Sequence, residues 1–193
     1  HNSGTGLQGN GGNFTYTSRG SNLRMTEFQG SLLMAQMARL EAQSRRRMEN
    51  GDYLNSILPA IGGIEPSKLY PGSRPGYHVY MMRYRKEQFS GLSRTTFIKA
   101  LAAEGIPATG GYSPLNRQAF IKAALASRGY KRLFPAKVLN EWAERTACPV
   151  NDKLCEEAVW LTQEKLLGPK SDMDQVAEAI SKIKAHAAEL AKA

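Results

Sequence analysis

Gly20-Ser21-Asn22-Leu23-Arg24-Met25-Thr26-Glu27-Phe28-Gln29 is where this chain changes character. Residues 1–21 hold six of its 18 glycines and few apolar side chains, too little to order a segment without a neighbouring surface. From Thr26 the pattern becomes helical. Thr26 and Gln29 have the spacing of a capping box, and Phe28, Leu32, Leu33, Met37 and Leu40 recur at helical intervals behind it. Arg39, Gln43 and Arg46 supply a polar face. The pattern resumes through Tyr53, Leu54, Ile57 and Leu58 until Pro59 and the Gly62-Gly63 pair stop it, with Gly51 expected as a weak point or kink.

Beyond a loop rich in Pro and Gly (66–76), the aromatic, β-favouring run Tyr77–Tyr84 predicts a strand. Ser93 is placed to cap a helix reaching Glu104, with Gly105 where a left-handed stop belongs. Ile106–Tyr112 reads as a short strand and Gln118–Ser127 as a helix. An irregular stretch carrying Trp142 follows, then a helix near Asp152–Ala158. The last helix is expected from Ser171, with Ser171 and Asp174 as a second capping box and Val176, Ile180, Ile183 and Leu190 on one apolar face. Strands interspersed with helices behind a long leading helix make the fold class α/β, with an α+β small domain. The expected division is a loop remnant at 1–21, a connecting helix at 22–60 and a small domain at 61–193.

The 193 residues are 41% hydrophobic and 22% charged, ordinary for a globular protein with one substantial core. The apolar run from Ser31 to Ala38 is broken by Gln36 and Arg39, well short of the roughly 20 residues of a membrane span. No signal peptide is readable at the N-terminus, and a chain opening at His1 in a glycine-rich loop resembles a piece of something longer. Cys148 and Cys155 suit neither a disulfide framework nor a zinc site, and His1, His78 and His186 are too scattered to complete one. Buried thiols in a reducing cytoplasm, and no metal, are expected.

A formal net charge of +9 favours anionic partners. Its densest run, Arg45-Arg46-Arg47, is flanked by Glu41 and Glu49 and reads as a solvated helix face. Gly4-Thr5-Gly6-Leu7-Gln8-Gly9 satisfies GxGxxG but lacks the strand and helix that give this motif its pyrophosphate-binding role. No Ser-His-Asp or Cys-His arrangement follows from spacing.

The segment Gly20–Gln29, followed by Leu32-Leu33-Met34-Ala35-Gln36-Met37-Ala38-Arg39-Leu40 and the arginine run, closely resembles the DegT/DnrJ/EryC1/StrS aminotransferase family. So do Tyr77-His78-Val79-Tyr80, Ala103-Glu104-Gly105-Ile106-Pro107, Gly110-Gly111-Tyr112-Ser113-Pro114-Leu115-Asn116-Arg117, Cys148-Pro149-Val150 and Val159-Trp160-Leu161. The resemblance spans about residues 1–190 and implies the C-terminal half of a fold-type I enzyme. Such an enzyme uses pyridoxal 5'-phosphate to move an amino group from glutamate or glutamine to a nucleotide-linked keto-sugar or a keto-cyclitol. The family's Schiff-base lysine lies upstream of the matched region, and Lys68, Lys86, Lys99 and Lys122 do not stand in its motif. The chain alone is therefore expected not to transaminate.

By the same resemblance, Asn22 and Arg24 bind the cofactor phosphate in a site shared across a homodimer, as an amide and a guanidinium near a helix N-terminus are suited to do. Tyr112, Asn116 and Arg117 approach the substrate, Asn116 standing where many members carry His or Tyr. His78 has a counterpart in the family, and a strand-end histidine with no ligand accounts for it equally well. Trp160 and Leu161 are expected in the small-domain core. The implied partners are the second subunit, the keto substrate and the amino donor, with no nucleic acid and no membrane. The alternatives are a non-catalytic interaction or regulatory module with the same small-domain fold, or a basic nucleic-acid-binding protein, for which no base-reading motif speaks.

Overall fold

The computed structural model describes residues 5–7, 14–16 and 24–192, and the chain forms two compact units, His1–Gln43 and Ser44–Ala193. In the first unit, strands β1 (Thr5–Leu7) and β2 (Phe14–Tyr16) make an antiparallel hairpin, Gly6 opposite Thr15. β1 lies inside the GxGxxG run; the rest of that run, and Asn22, fall outside the described residues. Helix α1 (Glu27–Ile57) starts behind the anticipated capping box. The Thr26 amide donates to Gln29 Oε1 at 2.9 Å, and the Gln29 amide donates to Thr26 Oγ1 at 3.3 Å. The apolar side chains of this half of the helix are exposed: Phe28 is 90% accessible, Met34 76% and Met37 68%, and Leu32, Leu33 and Leu40 are also open.

The C-terminal part of α1 belongs to the second unit, and there Leu54 and, just beyond the helix, Leu58 are sealed in the core. Gly51 does not interrupt the helix as expected. A Cβ at Gly51 would lie 2.6 Å from atoms of the Tyr77 ring, so the glycine admits that ring against the helix. Tyr77 is held at a left-handed φ of 44°, a strained backbone for a bulky residue. Its surroundings keep it there: Arg47 Nε donates to the Gly76 carbonyl at 3.1 Å, and Asn55 Nδ2 donates to the Tyr77 hydroxyl at 3.3 Å. Arg47 is thus buried and does not belong to the solvated face read from its arginine run; Arg46, paired with Glu49, does.

A four-stranded antiparallel sheet forms the middle of this unit, in the order β3 (Ile64–Pro66), β4 (Val79–Tyr84), β6 (Ala158–Thr162), β5 (Thr109–Gly110). The period of two along β4 puts Tyr80, Met82 and Tyr84 in the core and leaves Val79, Met81 and Arg83 on the opposite face. Helix α2 (Arg94–Ala103) starts at Ser93, whose Oγ accepts from the Thr96 amide at 3.1 Å, and stops at Gly105, φ 82°. Phe97 of α2 stacks on Tyr84 with 4.3 Å between ring centres, and Phe89 closes the cluster edge-on. Burial pushes the hydroxyls of Tyr80 and Tyr84 well above the usual tyrosine range.

Between β5 and β6 the chain makes an excursion through α3 (Ala119–Ala126), α4 (Arg128–Leu133), α5 (Ala136–Asn140), α6 (Trp142–Arg145) and α7 (Pro149–Glu157), none of which contains a buried residue. The stretch around Trp142, expected to be irregular, is instead a series of short helices punctuated by Ser127, Pro135 and Cys148. Helix α8 (Lys170–Ala185) packs Met173, Val176, Ile180 and Ile183 into the core, and Leu190, in the short helix α9 (Ala187–Leu190), is partly buried against it. The second capping box is absent. α8 begins one residue earlier than expected, behind Pro169, and the Asp174 carboxylate instead accepts from the Tyr53 hydroxyl at 2.6 Å. Among the described residues, no helix is long and apolar enough to cross a membrane, and no group of three acidic, histidine or cysteine side chains is arranged to hold a metal.

Candidate functional site

Two places carry the residues singled out above, one in each unit. At the mouth of α1, Arg24 joins Met25, Gln29, Leu32 and Leu33 around an open hollow of about 550 Å³. The capping box occupies two of the leading amides, and the aligned peptide dipoles make this end of the helix electropositive. A guanidinium beside such an end suits a phosphate, and the apolar wall of Met25, Leu32 and Leu33 suits a planar ring. The donor chemistry present at Arg24 therefore fits the phosphate side of pyridoxal 5'-phosphate.

The second place begins at the sheet edge. The Gly111 amide donates to the Ala158 carbonyl at 3.4 Å, and a Cβ at Gly111 would come within 2.9 Å of that of Ala158, so only glycine lets the strand leave the sheet here. Tyr112, 76% exposed, then stands edge-on to Trp160, with 5.0 Å between ring centres and 88° between planes. Two further fastenings hold the loop. Asn116 Nδ2 donates to the Thr146 carbonyl at 2.6 Å, and the Arg117 guanidinium pairs with Asp152 of α7, whose side chain is 13% exposed. Arg94 ties α2 to the end of α7 by donating to the carbonyls of Cys155 and Ala158, at 2.5 and 3.0 Å. The resulting cleft, about 290 Å³, is lined by Arg94, Tyr112, Ser113, Arg117, Asp152 and Cys155 among others.

Tyr112 and Arg117 thus line one cleft, whereas Asn116 spends its amide donor on the backbone. His78 is elsewhere. In the pairing of β4 with β6, Arg83 faces Ala158 and Val79 faces Thr162. His78 therefore lies about five residues along the sheet from the Gly111 end, roughly 17 Å at the usual rise per strand residue. It is exposed beside the strained Tyr77. Asp152, Thr146 and Arg94 assemble the cleft, and no site role for them is readable in the sequence. Asp152 is visible only as a helix start, and Arg94 only as the end of the family-like Gly91-Leu92-Ser93-Arg94 run, with no role attached.

Ion pairs brace the same side of the sheet. Glu157 accepts from Arg83 at 2.5 Å and from Arg85 at 2.7 Å, and Arg85 also grips Glu65 through two contacts of 2.7 and 2.8 Å. The hydrogen bond from Arg85 holds the Glu65 carboxyl below the usual range. This network fixes the α7–β6 junction from which the cleft is built.

The sequence profile of the DegT/DnrJ/EryC1/StrS aminotransferase family matches residues 1–181. The chain belongs to that family. It is 33% identical over 179 residues to an L-glutamine:2-deoxy-scyllo-inosose aminotransferase of Streptoalloteichus tenebrarius, a match covering 89% of this chain and 40% of the relative. A 3-amino-5-hydroxybenzoate synthase of Amycolatopsis mediterranei is 30% identical over 163 residues, covering 84% and 39%. The crystal structure of a 3-amino-5-hydroxybenzoic acid synthase superposes with a TM-score of 0.66 at 28% identity, over 89% of this chain and 42% of that one. The chain spans about 40% of the length of the curated relatives it matches, in keeping with a C-terminal half of the family architecture.

Proposed function

We propose that this chain is the C-terminal part of a pyridoxal-phosphate-dependent aminotransferase that transfers an amino group from glutamine or glutamate to a keto-cyclitol or keto-sugar. The observation that carries the proposal is the family match over residues 1–181 combined with the first half of α1, whose apolar side chains lie open around an electropositive mouth. In this reading residues 1–21 belong to the large cofactor domain, 22–60 connect, and 61–193 form the small domain. When bound, the cofactor supplies the electron sink for amino transfer. Arg24 and Asn22 hold its phosphate at a site shared with the second subunit of a homodimer. Tyr112 and Arg117 orient the keto substrate and Asn116 fixes the loop that carries them, whereas His78, at the other end of β4, has no part in that cleft. The likeness to a synthase of A. mediterranei supports a biosynthetic role, and with it we infer a cytoplasmic setting.

Several apolar residues of α1 support a partner on more than one side. At 100° per residue, Phe28, Leu32, Leu33, Met34, Met37 and Leu40 spread over about two-thirds of the helix circumference. The remainder of the parent polypeptide and the second subunit together can supply that cover. The test is to produce the chain alone and joined to the rest of its parent. Only the joined protein should bind pyridoxal 5'-phosphate and transaminate a keto-cyclitol with glutamine. Arg24→Ala in that protein should weaken cofactor binding about tenfold to a hundredfold, the loss of a charge-assisted contact. Transamination by the isolated chain, or undiminished cofactor affinity in Arg24→Ala, would overturn the reading.

A further inference from the structure

Arg24, Arg94 and Arg117 of the two sites above account for only part of the basic surplus behind the net charge of +9, and its distribution is uneven. Residues 119–145 contain six Lys and Arg against two carboxylates, Glu141 and Glu144, a surplus of four from one short stretch. That stretch is the chain of short helices α3–α6, which buries none of its residues. It encloses a groove of about 610 Å³ between α3, α4 and α5, a size typical of small-molecule sites. Leu125, Phe134 and Leu139 form its apolar walls, and Lys122 and Lys131 stand at it from two different helices. Among the described residues, neither lysine has a carboxylate within ion-pair distance. Phe134 is 44% exposed and inclined against Tyr130, with 5.6 Å between ring centres, so the wall is open to an incoming group.

We propose that this groove binds a monoanionic amphiphile, an organic acid with an alkyl or aryl body, whose carboxylate meets Lys122 and Lys131 while its body covers Leu125, Phe134 and Leu139. Charge complementarity selects this occupant. Two ammonium groups without acidic partners beside an apolar wall favour a ligand that brings a negative head and an apolar tail together. A second copy of a chain carrying +9 would bring like charge to the groove. The site stands apart from the Tyr112 cleft in its lining and does not rest on the aminotransferase reading.

The experiment titrates the full 193-residue chain with 1-anilinonaphthalene-8-sulfonate by fluorescence and then competes the dye with dodecanoate or dodecan-1-ol below their aggregation limits. Dodecanoate should displace the dye and dodecan-1-ol should not. The surface change Lys122→Gln/Lys131→Gln should weaken dodecanoate about tenfold or more, and Lys122→Arg/Lys131→Arg should restore it. The double Gln variant also separates this groove from the exposed face of α1, which keeps its dye binding in that variant. Equal competition by acid and alcohol, unchanged dodecanoate affinity in the Gln variant, or binding only to phosphatidylglycerol vesicles and never to monomeric dodecanoate would overturn the proposal.

Discussion

The two halves of α1 send their apolar side chains to opposite fates, and the half richer in them is the exposed one. In the first, Phe28, Leu32, Leu33, Met37 and Leu40 meet solvent; in the second, Leu54 is wholly buried, and Asn50 donates from Nδ2 to the carbonyls of Leu166 and Gly168 at 2.9 Å each. Local sequence gives both halves helical order, through the capping box at one end and helical spacing throughout. What differs is the supply of covering surface. The second half finds it in β4 and α8, and the first is a helix whose apolar girth is matched by nothing among the described residues of its own unit. Apolar periodicity therefore announces that a surface must be covered without saying that the same chain covers it.

This contrast can be broken most severely by truncation. Leu54→Ala should cost about 2–5 kcal/mol of stability in a urea melt, the usual range for emptying a sealed leucine site. Leu32→Ala in the same chain should fall within about 0.5 kcal/mol of the parent, as surface changes do. Equal losses at the two positions would show that the first half is already packed.

Glycine gives a smaller test with opposite signs. A Cβ at Gly30 would meet only Met25 Sδ, at 3.8 Å. Gly30→Ala should therefore stabilise the helix by about 0.5–1 kcal/mol through propensity alone. Gly51→Ala must displace the Tyr77 ring and should destabilise the second unit, read as a lower thermal midpoint. Two gains of the same sign would refute the close packing of Tyr77 on α1.

The smallest expected effect is on pH dependence. Burial, first of all, raises the pKa of Tyr80 and Tyr84, so their unfolded forms lose protons from about pH 10.0 while the folded forms retain them. The stabilisation is complete below pH 10 and declines as pH rises beyond it. Stability curves between pH 8 and 11 should show this fall, with a shallower slope in Tyr84→Phe. No tyrosine in the first half of α1 contributes to it.

Much of this architecture could be read from local chemistry. The Thr26–Gln29 box, the Ser93 cap with its Gly105 stop, the aromatic alternation of β4 and the apolar face of α8 are short-range signals, and each appears where expected. The central strand β6 was not legible as a strand. Ala158-Val159-Trp160-Leu161-Thr162 follows α7 with no Gly or Pro at the junction, and its identity comes from pairing with β4 and β5. The Ser171–Asp174 box failed because a tertiary hydrogen bond from Tyr53 claimed Asp174. At the cleft, family resemblance pointed to the loop, whereas the acceptors that hold it, Thr146 and Asp152, lie some 30 residues downstream and have no local mark.

Those fastenings have an effect on how the loop can change. Asn116 and Arg117 are moored to residues on the far side of the α3–α5 excursion, and Tyr112 rests on β6 beyond it. The excursion is therefore a bracketed insert, closed at its base by contacts that do not involve its interior. Its length and composition can be altered, as loop-closure entropy permits cheaply, while the cleft residues keep their places.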